Sequence, residues 1–317
     1  MKNDYLKNKK ILITGSSGLV GASFIESLSG EECEIWAWVK NDVPPYLQNI
    51  LNKCHIIKKD LTERESFSDL PQFDIIIHSA GYAQPMKFLA DKTRTIEINT
   101  MSTIWLMDKL LEGGKFLFIS SSEIYNGLDK YDIKETDIGR ANTDHPRSCY
   151  ITSKKCGESI CYSYINDRGI DAKIARLGLT YGPYVKIGDK RVINTLIEKA
   201  IFEKEISLLD GGDAIRTFCF ITDAVEMMWN ILLNGKNVVY NVGGIYYCSI
   251  LDIAKKIGRH FDKEIVVPIE DKKLEGSPKI VNIDISRYLL EFGNKSFVKI
   301  DDGIEKTIEW IKYIHSF

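Results

Sequence analysis

Lys10-Ile11-Leu12-Ile13-Thr14-Gly15-Ser16-Ser17-Gly18-Leu19-Val20-Gly21 is the stretch whose reading decides the fold. Four residues, Ile11–Thr14, read as a buried strand, and Leu19–Ser29 reads as a helix, with glycines at 15, 18 and 21 between and just inside them. Glycine is needed in such a turn because the chain reverses sharply, the backbone must approach a pyrophosphate, and the helix must pack closely on the strand. The helix start then offers free N–H groups and a positive dipole end to phosphates. Gly15, Ser17, Gly18, Leu19 and Val20 are therefore expected to line a dinucleotide site.

Outward from this turn the rhythm repeats. Glu34–Val39, Ile56–Lys58, Asp74–His78, Phe116–Ser120 and Ala172–Arg176 are apolar runs without polar alternation, as strands covered on both faces require. Helix-length stretches such as Ile96–Leu111 separate them. The pattern predicts an α/β fold, a Rossmann-type doubly wound parallel sheet. The expected dinucleotide-binding domain is 1–177, with a strand near 237–243 returning to its sheet. Beyond it, 178–236 and 244–317 are expected to form a smaller C-terminal substrate-binding lobe. Gly178–Lys190 reads as a loop, Val192–Lys204, Asp223–Leu233, Ile250–Phe261 and Asp302–Ile314 as helices, and Glu270–Asp284 as a loop region.

Composition narrows the function. In 317 residues, 42 basic and 44 acidic side chains leave a net charge of −2, which offers no footprint for nucleic acid or an anionic membrane. No apolar run approaches the roughly eighteen residues of a membrane span. Seven scattered cysteines without a CxxC read as reduced thiols, and five dispersed histidines form no metal site. A cytoplasmic protein is expected. Cys149 and Cys156 read as apolar packing, His78 as a packed strand-end residue, and His145 as an ordinary loop residue.

Tyr150-Ile151-Thr152-Ser153-Lys154 opens a helix, and residues four apart share one helix face. An adjacent ammonium and a cationic nicotinamide are together expected to favour the phenolate of Tyr150, which can then take a proton from a secondary alcohol as hydride leaves its carbon. Phe116–Ser120 delivers Ser120-Ser121-Ser122-Glu123 to the sheet edge where ligands bind, so a serine there can hold the reacting oxygen. Glu123 is a second acid/base candidate. After the third strand, Asp60 is placed to accept from an adenine amino group. After the second, where an acid normally caps the adenosine ribose, Lys40 stands instead. The choice between NAD and NADP therefore stays open.

Turn, strand-end serine and YxxxK together resemble an extended short-chain dehydrogenase/reductase of the NAD-dependent epimerase/dehydratase family, whose members mostly act on nucleotide sugars. The resemblance also carries His78-Ser79-Ala80, Asn99 and Tyr181-Gly182-Pro183. It implies Ser121, Tyr150 and Lys154 as the catalytic set, with Glu123 beside them. It further implies that Asp60, Leu61, Ser79, Ala80 and Asn99 line the cofactor cleft. Within the family, Pro146–Tyr150, Ser122-Glu123, Lys190-Arg191-Val192 and Arg216-Thr217-Phe218 are most similar to UDP-glucuronate decarboxylases. This implies Ser122, Arg191 and Arg216 as substrate contacts. Serine at 122, where 4,6-dehydratases carry aspartate, disfavours dehydration. Leu179 replaces an asparagine and Val281 an arginine of that pattern, which reshapes phosphate recognition.

Three outcomes of one C4 oxidation follow: epimerisation, decarboxylation, or release of the ketone by a dehydrogenase. A 4-epimerase is expected, since it asks least beyond Ser121, Tyr150 and Lys154. The alternative from another class is a non-catalytic NAD(P)-sensing scaffold. The family also implies a homodimer through the Tyr150–Tyr164 helix.

Overall fold

A computed structural model describes residues 5–128, 130–269 and 280–317. Seven parallel strands form the central sheet: β1 (Lys10–Thr14), β2 (Glu34–Val39), β3 (His55–Lys58), β4 (Phe73–His78), β5 (Leu110–Ser121), β6 (Asp171–Leu177) and β10 (Val239–Val242), while β8 (Ile206–Ser207) pairs with β12 (Ile265–Val266) apart from it. Their order is β10-β6-β5-β4-β1-β2-β3. The order turns back between β1 and β4, whose ends meet at the register pair Thr14 and His78. That reversal opens a crevice at the carboxyl edge of the sheet, where ligands of such folds bind.

The all-apolar strands have a direct cause. Ile11 and Ile13 face one core and Leu12 the other, all fully buried, because helices cover both sides. On the first face, Phe24 meets Trp229 edge-on at 5.3 Å, and the Trp229 indole donates to Ser27 Oγ at 2.8 Å. On the second, Phe116 and Phe118 pack with Cys161 of the helix Ser148–Arg168. No described helix is long and apolar enough to cross a membrane.

Several expectations are corrected. The stretch Ile96–Leu111 is not one helix: it breaks at Thr100 into Lys92–Asn99 and Met101–Met107, and Leu110 already belongs to β5. The segment after 178 is more than loop and helix. A second sheet forms from β7 (Leu179–Tyr181), β9 (Ile215–Phe220), β11 (Tyr246–Ser249) and β13 (Ile280–Val281), in which β9 pairs with the other three. Residues 270–279 of the expected loop lie outside the described residues. These strands escape sequence reading because β7, β9 and β11 carry polar residues in place of an unbroken apolar run, and β13 is two residues long. Cys156 is exposed rather than packed, whereas Cys149 is buried; all seven cysteines are free. Among the described residues no cluster suits a metal ion.

A polar network ties the central sheet to the segments around Ile133 and Asp284. Ser120 Oγ donates to Glu158 Oε1 at 2.5 Å, and Arg176 grips the same carboxylate with Nη2 at 2.7 Å from Oε2. Arg176 also donates to Tyr125 Oη at 2.9 Å, and Tyr125 donates to Asn241 Oδ1 at 2.7 Å. Asn241 Nδ2 reaches the carbonyls of Ile133 and Asp284, each at 2.9 Å. Removing one partner of a buried ion pair strands the other charge, which costs about 3–5 kcal/mol. Glu158→Ala is therefore expected to lower the unfolding free energy by about that amount. A loss in urea melts of less than about 1 kcal/mol would show that Arg176 finds water or another acceptor instead.

Candidate active site

The glycine turn is shaped as the sequence demanded. Gly15 has φ +66°, and a Cβ there would lie 2.8 Å from Ala80 Cα. One on Gly21 would lie 2.5 Å from the Gly15 carbonyl oxygen. Gly18 caps the helix Leu19–Glu26 without any side chain, so no side-chain acceptor occupies the N–H groups of the first turn. Leu19 is buried and Val20 half-buried against the first core. The Ser79 hydroxyl donates to the Thr14 carbonyl at 2.5 Å and the Ala80 N–H to Thr14 Oγ1 at 3.1 Å, stitching β4 to β1 beside the turn.

Lys186, unforeseen from sequence, reaches back from the segment after β7 and donates to Ser17 Oγ at 2.9 Å. Burial, then the neighbouring Lys87, pulls its pKa down. A cation is thus placed at the phosphate-binding turn by a segment 169 residues away in the chain. No local spacing announces it.

At the adenosine end, Asp60 Oδ1 accepts from the N–H and hydroxyl of Thr62 at 3.0 and 2.9 Å. Its Oδ2 contacts the Arg94 guanidinium and lies 3.9 Å from Lys40 Nζ. Leu61 is buried, its carbonyl accepting from Ser102 at 2.7 Å. Deeper in the crevice, Asn99 Nδ2 donates to the Thr95 carbonyl and to Ser153 Oγ, while its buried Oδ1 has no partner among the described residues. Buried Arg94 Nε likewise has none. A Cβ on Gly81 would come 3.7 Å from Asn99 Oδ1 and 3.8 Å from Lys154 Nζ, so the floor between these groups is bare. Unpaired buried polar atoms around an uncapped helix start and a glycine cradle fit a dinucleotide.

Tyr150 and Lys154 sit one turn apart on the helix Ser148–Arg168, which starts two residues before the tyrosine. The Tyr150 ring stacks on Phe88 at 4.8 Å with planes 7° apart. Ser121 is near enough to the Tyr150 hydroxyl to lower its pKa, and Ser121 Oγ accepts from Glu123 N at 3.2 Å. Lys154 donates to the Ile119 carbonyl at 2.7 Å and lies 5.9 Å from the Tyr150 ring centre. Burial pushes the phenol up to about 12, Ser121 pulls it back, Glu123 raises it, and Arg147 and Arg191 lower it. Burial drags Lys154 down to about 7, with Glu158 opposing. In the protein alone desolvation outweighs every favourable charge on the phenol, so the expected lowering falls to the cationic nicotinamide acting with Lys154. His78 is packed as expected, with Nδ1 2.8 Å from Thr14 Oγ1 and Nε2 3.0 Å from the Ile98 carbonyl. Burial takes its pKa to about 3, so it is neutral.

Beside Tyr150 lies a second group that sequence reading left unassigned. Arg147 is buried, 3.1 Å from Glu123 Oε1, with its guanidinium 5.4 Å from the Phe88 ring centre. Arg147 Nε and Glu123 Oε2 are both buried without partners among the described residues. Ser122 is buried next to them. Arg216, on β9, faces Val281 of β13 in register and donates to its neighbour's carbonyl at 2.8 Å. Arg191 is held by Asp189, with Nη2 2.5 Å from Oδ2, so it meets a ligand only as half of an ion pair. His145 accepts from the Arg147 N–H at 3.2 Å, a local loop contact.

The buried lysine has a measurable consequence. Its folded pKa near 7 lies below the unfolded value of about 10.4, so the unfolded chain binds more protons between these pH values. Its burden on stability is therefore largest below pH 7 and fades towards pH 10. That burden, on the order of 4 kcal/mol, exceeds the roughly 1 kcal/mol of the Ile119 bond. Protein stripped of dinucleotide and carrying Lys154→Met is expected to melt roughly a few degrees higher than the parent at pH 6, and by less at pH 9. An unchanged or lower Tm at pH 6 contradicts the picture.

Residues 11–243 match the model of the NAD dependent epimerase/dehydratase family. The chain is 25% identical over 314 residues to UDP-glucuronic acid decarboxylase 1 of Xenopus tropicalis, covering 96% of this chain and 72% of that one. It is 26% identical to UDP-glucuronic acid decarboxylase 6 of Arabidopsis thaliana over 310 residues, 95% and 88% of the two. Among solved structures it superposes on UDP-glucuronic acid 4-epimerase from Bacillus cereus, determined with UDP-glucuronic acid and NAD. That match has a TM-score of 0.83, 23% identity, and coverage of 96% and 99%. For UDP-glucose 4-epimerase from Thermotoga maritima the TM-score is 0.85, with 19% identity and coverage of 96% and 99%. These likenesses carry the fold, and the family match carries the class: the chain belongs to the NAD-dependent epimerase/dehydratase family of enzymes.

Proposed function

We propose that the protein is a nucleotide-sugar 4-epimerase that retains NAD in the crevice between β1 and β4. The observation that carries this reading is the buried Tyr150 beside Ser121, one helical turn from Lys154, at the cleft floored by Gly81 and Asn99. When bound, the nicotinamide accepts a hydride and returns it. Gly15, Ser17, Gly18 and Lys186 hold the pyrophosphate, and Asn99 and Lys154 meet the nicotinamide ribose side. Ser121 orients the sugar C4 hydroxyl. Tyr150 removes its proton as the alcohol is oxidised and restores one as the ketone is reduced. Arg147, Arg191 and Arg216 bring positive charge to a sugar nucleotide's diphosphate. Epimerisation needs nothing more than a ketone free to turn its other face.

A decarboxylase is the second reading. It is favoured by Glu123 beside Arg147 next to the reacting hydroxyl, and by the decarboxylase relatives. Against it stands Val281, opposite Arg216, where the decarboxylase pattern has an arginine. We also propose a homodimer through the helices Lys92–Asn99 and Ser148–Arg168, which expose Ile96 and Tyr162, with Met101 just beyond.

Purified protein with NAD and UDP- or dTDP-hexoses and UDP-glucuronate is expected to convert one of them to its C4 epimer, followed by proton NMR. Release of carbon dioxide with a pentose product would establish the decarboxylase instead, and accumulation of NADH a dehydrogenase. No conversion of any sugar nucleotide would favour the sensing scaffold. Tyr150→Phe removes the proton-transfer group and is expected to lower turnover about 10²–10⁴-fold with little change in Tm. Light scattering at micromolar concentration is expected to give twice the 36.1 kDa chain mass, and a monomer would refute the dimer.

A further inference from the structure

The adenosine end of the crevice carries more positive charge than its acid can absorb. In dinucleotide sites of this fold, a carboxylate at the end of the second strand accepts from the ribose 2′-hydroxyl, and a cation there suits a 2′-phosphate. Here β2 ends at Val39 and Lys40 follows. Lys40 Nζ is 3.5 Å from Tyr82 Oη and 3.9 Å from Asp60 Oδ2, both at the outer edge of bonding, and its side chain is half-exposed. Asp60 is already engaged by Thr62 through Oδ1 and by Arg94 through Oδ2. Asp42, two residues after Lys40, is turned to Lys58 and is 88% exposed. Among the described residues around this strand end, therefore, no carboxylate is left to cap a ribose diol. Two cations, Lys40 and Arg94, share one acid, and Arg94 Nε is buried without a hydrogen bond.

We propose that Lys40, backed by Arg94, forms a site for the 2′-phosphate of the adenosine ribose, so that this enzyme binds NADP(H) at least as tightly as NAD(H). Resting on the dinucleotide reading of the crevice, the proposal adds that this chain departs at one end of it from the NAD preference of its family. A dianionic phosphate beside Lys40 gains charge attraction and bonds from the loosely held ammonium, and Tyr82 Oη supplies a further donor. The ribose of NAD meets the same lysine with two neutral hydroxyls and no acceptor.

The test is equilibrium binding by fluorescence of NADPH and NADH to the purified full-length protein after charcoal removal of resident dinucleotide. NADPH is expected to bind at least as tightly as NADH in low salt, and its advantage is expected to shrink as salt is raised. Lys40→Asp reverses a charge against a dianion and is expected to weaken NADPH binding about tenfold or more while sparing NADH. Lys40→Ala gives the intermediate value and serves if the aspartate variant does not fold. NADPH binding tenfold weaker than NADH in the parent, or equal losses for both dinucleotides in the variants, overturns the proposal while leaving the dinucleotide site intact. Failure of both dinucleotides to bind removes the crevice reading itself, and the proposal with it.

Discussion

The bond from Lys154 Nζ to the Ile119 carbonyl is the contact on which the rest of the site depends. It pins the helix Ser148–Arg168 against the end of β5, so that Tyr150 and Ser121, carried by different elements, are brought side by side. It also sets the electrostatics. The ammonium is anchored by a neutral dipole, with its opposing carboxylate, Glu158, tied up by Ser120 and Arg176. Burial therefore bears on the charge almost undiluted, and the lysine sits near neutrality in its pKa.

A phenol raised to about 12 and a lysine lowered to about 7 describe a pair poorly suited to ionise in the protein alone. The same burial makes the pair responsive to a cationic ring placed beside it, since Coulomb interactions strengthen where water is excluded. The unpaired atoms around it, Asn99 Oδ1, Arg147 Nε and Glu123 Oε2, follow the same logic. Each is costly in an empty fold and useful only when a polar ligand completes it.

The network from Ser120 through Glu158, Arg176 and Tyr125 to Asn241 joins the central sheet to the segment carrying β13. Of the side chains proposed to meet the sugar nucleotide, Ser122 lies two residues beyond Ser120, and Arg216 pairs in register with Val281, three residues before Asp284. A rigid polar link between sheet edge and substrate side keeps the reacting hydroxyl and the dinucleotide cleft in one frame.

The parallel sheet was legible in the chain because buried strands leave unbroken apolar runs and because glycines at 15, 18 and 21 answer a local steric demand. The Tyr150–Lys154 spacing was legible for the same reason, a helix face being a local property. The break at Thr100, the short strands β7, β9, β11 and β13, Lys186 over Ser17 and Arg147 against Glu123 were not. Each depends on partners brought from far along the chain, and these strands lack the long apolar runs that declare the buried ones. The pKa directions also belong to the tertiary structure alone. The sequence states that an ammonium lies one turn from a phenol; only packing decides that burial, and not that neighbour, sets the proton affinity of both.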